Sequence, residues 1–113
     1  MKKVAFDIDN TLWEIVKGKD GKLHQVPDHD LIQVLRWFHA NGDTVYVWSA
    51  GGMDHAETIS KKLGLEKLVT VIPKGIYGEP KSGLKIDLSF DDEAVKLASV
   101  NIKVQRESYE DYL

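Results

Sequence analysis

Four short apolar runs, at residues 4–8, 44–48, 69–72 and 86–90, alternate with stretches of helical or turn character, and this constrains the fold more than any other feature. Brief apolar runs bounded by polar residues read as strands buried on both faces, the pattern of a parallel sheet. Between the first two runs, a helix opened by Pro27-Asp28 places Leu31, Val34, Leu35 and Phe38 at the three-and-four spacing of one buried face, and Asn41-Gly42 ends it. A second helix, over residues 54–63, turns Ala56, Ile59 and Leu63 inward and stops at Gly64. A short helix over residues 94–98 and a weak fifth strand over 102–104 continue the alternation. Residues 13–26 break it: two partly apolar arms flank an Asp20-Gly21 turn signal, which predicts a β-ribbon flap. The acidic and aromatic tail, from Arg106 to Leu113, has no assignment. Strand–helix alternation in 113 residues predicts a single-domain α/β fold built on a parallel sheet of about five strands.

Composition narrows the function classes. Fifteen Lys and Arg against eighteen Asp and Glu leave a net charge of −3, so no global field draws the chain to nucleic acid or an anionic membrane. The chain has no cysteine, which removes disulfides, thiolate zinc sites and thiol nucleophiles. No apolar run reaches the roughly 20 residues that span a bilayer, and carboxylates interrupt the start too soon for a signal-peptide core. The expectation is a soluble, cytoplasmic protein.

In a parallel sheet, ligands bind beyond the carboxyl ends of the strands. Sorted by that rule, Asp7 and Asp9 follow the first strand, Ser49 the second, and Asp91 and Asp92 the fourth, all on one rim. Carboxylates crowded at a buried edge repel one another and call for a cation among them. Hard oxygen donors without His or Cys favour Mg2+ over zinc. Ser49 beside Gly51 and Gly52 suits an anion, and Lys81 or Lys74 can bring positive charge. Cation, anion cradle and carboxylates together describe a phosphate site. A turn after Ile8 would separate the two N-terminal acids, letting one attack phosphorus while the other handles protons.

The string Asp7-Ile8-Asp9-Asn10-Thr11-Leu12 after an apolar strand resembles the first motif of the haloacid dehalogenase superfamily of phosphohydrolases. Ser49 after Val45-Tyr46-Val47-Trp48 is similar to the second motif. Lys81, ten positions before Asp91-Asp92, is similar to the third and fourth, at the spacing of deoxyribonucleotidase-like members. Lys74, after Val71-Ile72-Pro73, competes for the lysine role. The resemblance implies a Rossmann-like three-layer sandwich with strand order 5-4-1-2-3. It implies Asp7 as nucleophile, Asp9 as general acid and base, and Lys81 as the neutralising amine. Ser49, Ala50 and Asn10 would bind the phosphoryl group. Mg2+ would be held by Asp7, the Asp9 backbone carbonyl and Asp91, with Asp92 nearby. The activity implied is phosphomonoester hydrolysis through an aspartyl-phosphate, on a nucleotide or small phosphorylated metabolite. Only the ribbon and one helix separate the first two motifs, which resembles capless members whose open sites are covered by a second copy or a macromolecular substrate.

Plainer readings stand beside these. Asp7 and Asp9 also fit a solvated strand end, Ser49 and Asp92 fit helix N-caps, and Lys17, Lys19 and Lys22 fit a soluble turn. His24 fits the surface, and Trp13 and Trp37 fit core or interface, with Trp13 close enough to the first motif to line the entrance. A phosphoacceptor domain of the response-regulator type uses similar residues, but its acceptor aspartate ends the third strand, where this chain has Ile72-Pro73-Lys74. A non-catalytic phosphate-binding module on the same fold is the third reading.

Overall fold

Val4, Ala5 and Phe6 are fully buried in β1 (Lys3–Asp7), so this strand is covered on both faces. The computed structural model describes residues 1–74 and 84–106, and in it β1 is the central strand. It pairs in parallel with β4 (Thr44–Trp48) on one side and β6 (Leu88–Asp91) on the other. Outside these lie β5 (Thr70–Val71) and β7 (Val100–Lys103), also parallel to their neighbours. The sheet order is β5-β4-β1-β6-β7. Its numbering differs from the expected 5-4-1-2-3 because β2 (Trp13–Lys17) and β3 (Leu23–Pro27) take numbers without joining the sheet; the expectation counted sheet strands alone. Those two strands form a separate antiparallel ribbon, the expected flap, extended to residue 27. Its loop carries Gly21 at φ 78°, the left-handed conformation that the Asp-Gly signal anticipates.

Alternation along each strand splits the core. Val4, Phe6, Val45 and Val47 face one cluster together with Ile32 and Leu35 of α1 (His29–Ala40) and Ala56 and Ile59 of α2 (Met53–Lys62). Phe6 stacks on Phe90 at 4.6 Å and meets Phe38 edge-on at 6.4 Å, fastening α1 to the centre of the sheet. Asp28 caps α1 by accepting from the Leu31 N–H at 2.9 Å. The buried stripe of α1 is centred on Ile32 and Leu35, with Leu31 and Phe38 beside it. Val34 is exposed, because a stripe that admits Ile32 rotates Val34 past its margin. Trp37 is 60 % exposed and lies outside the core.

Ala5, Trp48, Ile86 and Leu97 form the second cluster. Among the described residues this face is covered by irregular chain, so the expected third layer of helix is absent there, including the helix over 94–98. A five-residue segment offers too little helix to repay nucleation, and a side chain supplies the missing hydrogen bonds instead. Asn101 Oδ1 accepts from the N–H groups of Leu97 (2.9 Å) and Ala98 (3.0 Å) and lies 2.8 Å from Ser89 Oγ, while its amide donates to the Ala98 carbonyl at 2.8 Å.

Asn101→Ala strands two backbone donors and the buried Ser89 hydroxyl. It should destabilise the fold by about 2–3 kcal/mol in urea denaturation; a loss below about 0.5 kcal/mol would mean the segment is held by packing alone.

Candidate functional site

A single turn separates the two N-terminal acids. After β1, the Thr11 and Leu12 N–H groups donate to the Ile8 carbonyl at 3.2 and 3.0 Å, and Asn10 takes a left-handed φ of 61°. Asp7, at the end of a buried strand, therefore points into the protein, whereas Asp9 turns toward the flap and α2.

Asp7 meets Asp91 and Asp92 from the end of β6: one carboxylate oxygen from each lies within 4.8 Å of the others. Lys74, three residues beyond β5, places Nζ 2.7 Å from Asp91 Oδ2 and 3.1 Å from Asp7 Oδ1. The Thr11 hydroxyl lies 3.2 Å from Asp7 Oδ2 and 3.5 Å from Asp92 Oδ1, so its one proton is shared between them. Asp91 also accepts from the Glu93 N–H at 3.0 Å. Asp92 caps no helix, since among the described residues none follows it.

Burial pushes the Asp7 carboxyl up to about 7, against the pull of the Lys74 charge; the Asp91 charge and a hydrogen bond with Asp92 act in the same direction as burial. Burial alone would lower the Lys74 ammonium, but hydrogen bonds and charge from Asp91 and Asp7 outweigh it and raise it. Among the described residues, Lys74 is the one permanent cation at this cluster, and it pairs with Asp7 and Asp91. The donors are hard, clustered oxygens short of positive charge, so the set fits a divalent cation.

Asp9 stands outside that cluster. Its Oδ1 accepts from the Trp13 indole N–H at 2.8 Å and its Oδ2 lies 2.8 Å from His55 Nε2. Trp13 is buried at the root of the flap, and His55 sits in the first turn of α2. Ser49 directly follows β4, next to Trp48, the strand partner of Asp7. Gly52, not Ser49, caps α2, and the Ser49 hydroxyl accepts from the Gly51 N–H at 3.0 Å. Ala50 is exposed in the same turn. Asn10 uses its side-chain oxygen on the Ile15 N–H at 3.2 Å, fastening the flap rather than facing the acids. Lys81 lies outside the described residues. His24 pairs with Asp20 at the exposed tip of the ribbon.

Sequence reasoning missed His55 and Arg106. His55 follows the Ser49 turn by one helical turn, so the strand-end rule places it on the functional rim. Arg106 has no local signal. Its Nε donates to the Asn10 carbonyl at 2.7 Å, its Nη2 donates to the Thr11 carbonyl, and it pairs with Glu14 at 3.3 Å and Asp28 at 2.9 Å. One guanidinium thereby joins the first-motif loop, the flap and the cap of α1.

Residues 1–106 match the family described as "Protein of unknown function (DUF705)". The chain belongs to the DUF705 family. Neither the curated proteins nor the solved structures contain a match to it. The matched span of this DUF705 member contains Asp7, Asp9, Ser49, Lys74, Asp91 and Asp92.

Because the folded state holds the Asp7 proton more tightly than an unfolded chain with an ordinary value of 3.8, this group's contribution to stability is full below about pH 4 and lost as pH rises through about 7. Asp7→Asn does not carry that loss. In cation-free urea denaturation its stability relative to the parent should grow by up to about 4 kcal/mol between pH 4 and 8. Saturating Mg2+ at pH 8 should shrink the gap, and a pH-independent difference would refute the assignment. Lys74→Met leaves Asp7 and Asp91 without their counter-charge and should cost about 3 kcal/mol at pH 8; an unchanged urea midpoint would show that the ammonium does not hold the cluster.

Proposed function

We propose that this DUF705 chain is a phosphomonoester phosphatase of the haloacid dehalogenase type that uses Mg2+ and passes through a phosphoryl group carried on Asp7. The observation that carries the reading is the division of labour between two acids two residues apart. Asp7 is buried against Lys74, Asp91 and Asp92, while Asp9 is held apart by Trp13 and His55.

On this reading Asp7 attacks phosphorus. Its oxygen forms the new P–O bond as the ester P–O bond breaks, and the departing oxygen takes its electron pair and a proton from Asp9. Lys74 offsets the repulsion between a carboxylate and a phosphate dianion. Ser49 accepts from Gly51, which leaves its own O–H to donate to a phosphoryl oxygen; Ala50 follows it in the same turn, while the Asn10 side-chain oxygen is committed to the Ile15 N–H. In the second half, Asp9 takes a proton from water as the water oxygen bonds to phosphorus. The bond to Asp7 then breaks, releasing inorganic phosphate and restoring both acids. Asp7, Asp91 and Asp92 would hold Mg2+, which supplies charge neutralisation when bound. The substrate on this reading is a small phosphorylated metabolite or a nucleotide.

The test is hydrolysis of an aryl phosphate with and without Mg2+ by the parent, Asp7→Asn and Asp9→Asn. Activity should require the ion and disappear in Asp7→Asn, while kcat, which includes the attack of water that Asp9 serves as base, should fall by about 10²–10⁴ in Asp9→Asn. A quench during turnover should yield a hydroxylamine-sensitive phosphoprotein in the parent and none in Asp7→Asn. Equal residual activity in all three proteins would sink the reading.

A further inference from the structure

We infer that His55 and Trp13 are positioning residues that hold the Asp9 carboxylate at the mouth of the site and out of the acid cluster, an inference that rests on the phosphatase reading above. Asp9 lies two residues from Asp7, within the same loop as a cluster that contains an ammonium and fits a divalent cation. Left free, a third-of-the-way exposed carboxylate there is attracted inward to that positive charge. Once ligated or paired, it would have fewer lone pairs to exchange a proton with a leaving group.

Two contacts from separate elements oppose that collapse. The Trp13 indole can only donate, so it holds Oδ1 from the flap side at 2.8 Å. His55 holds Oδ2 from α2, also at 2.8 Å, and the side chains of His55 and Asp9 remain 36% and 38% exposed. Each carboxylate oxygen keeps a second lone pair for the reaction. The backbone makes room for this grip: a β-carbon at position 51 would lie 3.3 Å from the His55 ring and 3.3 Å from Ser49 Oγ, so Gly51 lets the imidazole approach beside the phosphate-facing hydroxyl. Trp13 is itself fixed by burial and by its backbone pairing with Pro27 at the root of the ribbon. The flap and α2 therefore meet on one carboxylate, and the flap's role is to orient the acid that serves the leaving group.

This differs from a structural role in what it does to different substrates. The value of kcat/KM reports steps through departure of the leaving group; an alkyl phosphate needs a proton from Asp9 at that point, whereas a p-nitrophenyl phosphate scarcely does. His55→Ala should lower kcat/KM for a simple alkyl phosphate by about 10-fold to 100-fold while changing that for p-nitrophenyl phosphate by less than about 3-fold. Trp13→Phe, which keeps the ring and removes the donor, should shift the same ratio in the same direction. His55→Gln, which restores an N–H donor, should recover most of the loss. Equal losses on both esters, no loss on either, or no recovery in His55→Gln would overturn the positioning role. Asp9→Asn measured alongside separates the two levels: if it too spares the alkyl ester, the phosphatase mechanism itself fails, whereas a selective loss in Asp9→Asn without one in His55→Ala and Trp13→Phe rejects the positioning role alone.

Discussion

The Lys74 ammonium between Asp7 and Asp91 is the contact on which the rim depends. Asp91 is 1% exposed and Asp7 6%, and carboxylates so deeply placed cannot rely on water to spread their charge. One lysine reaches both, although β4 lies between β5 and β1. Strands two places apart are about 10 Å from one another, so the bridge needs a long, flexible side chain beyond the end of β5. The turn after β4 consists of Ser49, Ala50, Gly51 and Gly52, residues small enough to keep that end of the sheet uncrowded.

The parallel sheet makes this convergence possible. With β1, β4, β5 and β6 all running the same way, the chain leaves each strand on the same side. The first acid, the hydroxyl, the lysine and the later acidic pair then arrive together though they are spread from residue 7 to residue 92. Antiparallel pairing of any one of these strands would send its polar residue to the opposite end. Arg106 reinforces the convergence from a distant part of the sequence by gripping the carbonyls of Asn10 and Thr11, the backbone that directly follows Asp9.

The elements that were legible in the sequence are those whose signals are local and repeated. Val4, Ala5 and Phe6 announce a buried strand, Asp20-Gly21 a ribbon turn, and Gly64, at φ 72°, the end of α2. Strand ends in turn placed Asp7, Ser49, Asp91 and Asp92 on one rim. What the sequence concealed depends on long-range geometry. Whether Val34 or Ile32 faces inward is decided by how α1 rests on Phe6, and both fit an apolar periodicity. Residues 94–98 look helical by composition, yet Asn101 captures their backbone with its side chain. His55 looks like any polar residue in a helical first turn until α2 is set against the loop of Asp9.

The distribution of counter-charges separates this rim from ordinary acidic surface. Glu14 and Asp28 share the Arg106 guanidinium, Asp20 is met by His24, and Asp43 and Asp87 accept backbone N–H groups of Lys2 and Lys3. Each of those acids has a donor to itself or shares one between two. At the rim, among the described residues, Lys74 pairs with Asp7 and Asp91, the Thr11 hydroxyl lies between Asp7 and Asp92, and the Glu93 N–H donates to Asp91, in the place where burial makes unmatched charge most costly. Replacing one of these acids with a neutral residue relieves that crowding, and Asp92, half-buried where Asp7 and Asp91 are buried, is the most open of the three to such a change. One carboxylate oxygen from each of Asp7, Asp91 and Asp92 nonetheless lies within 4.8 Å of the others, an arrangement that could hold a metal ion.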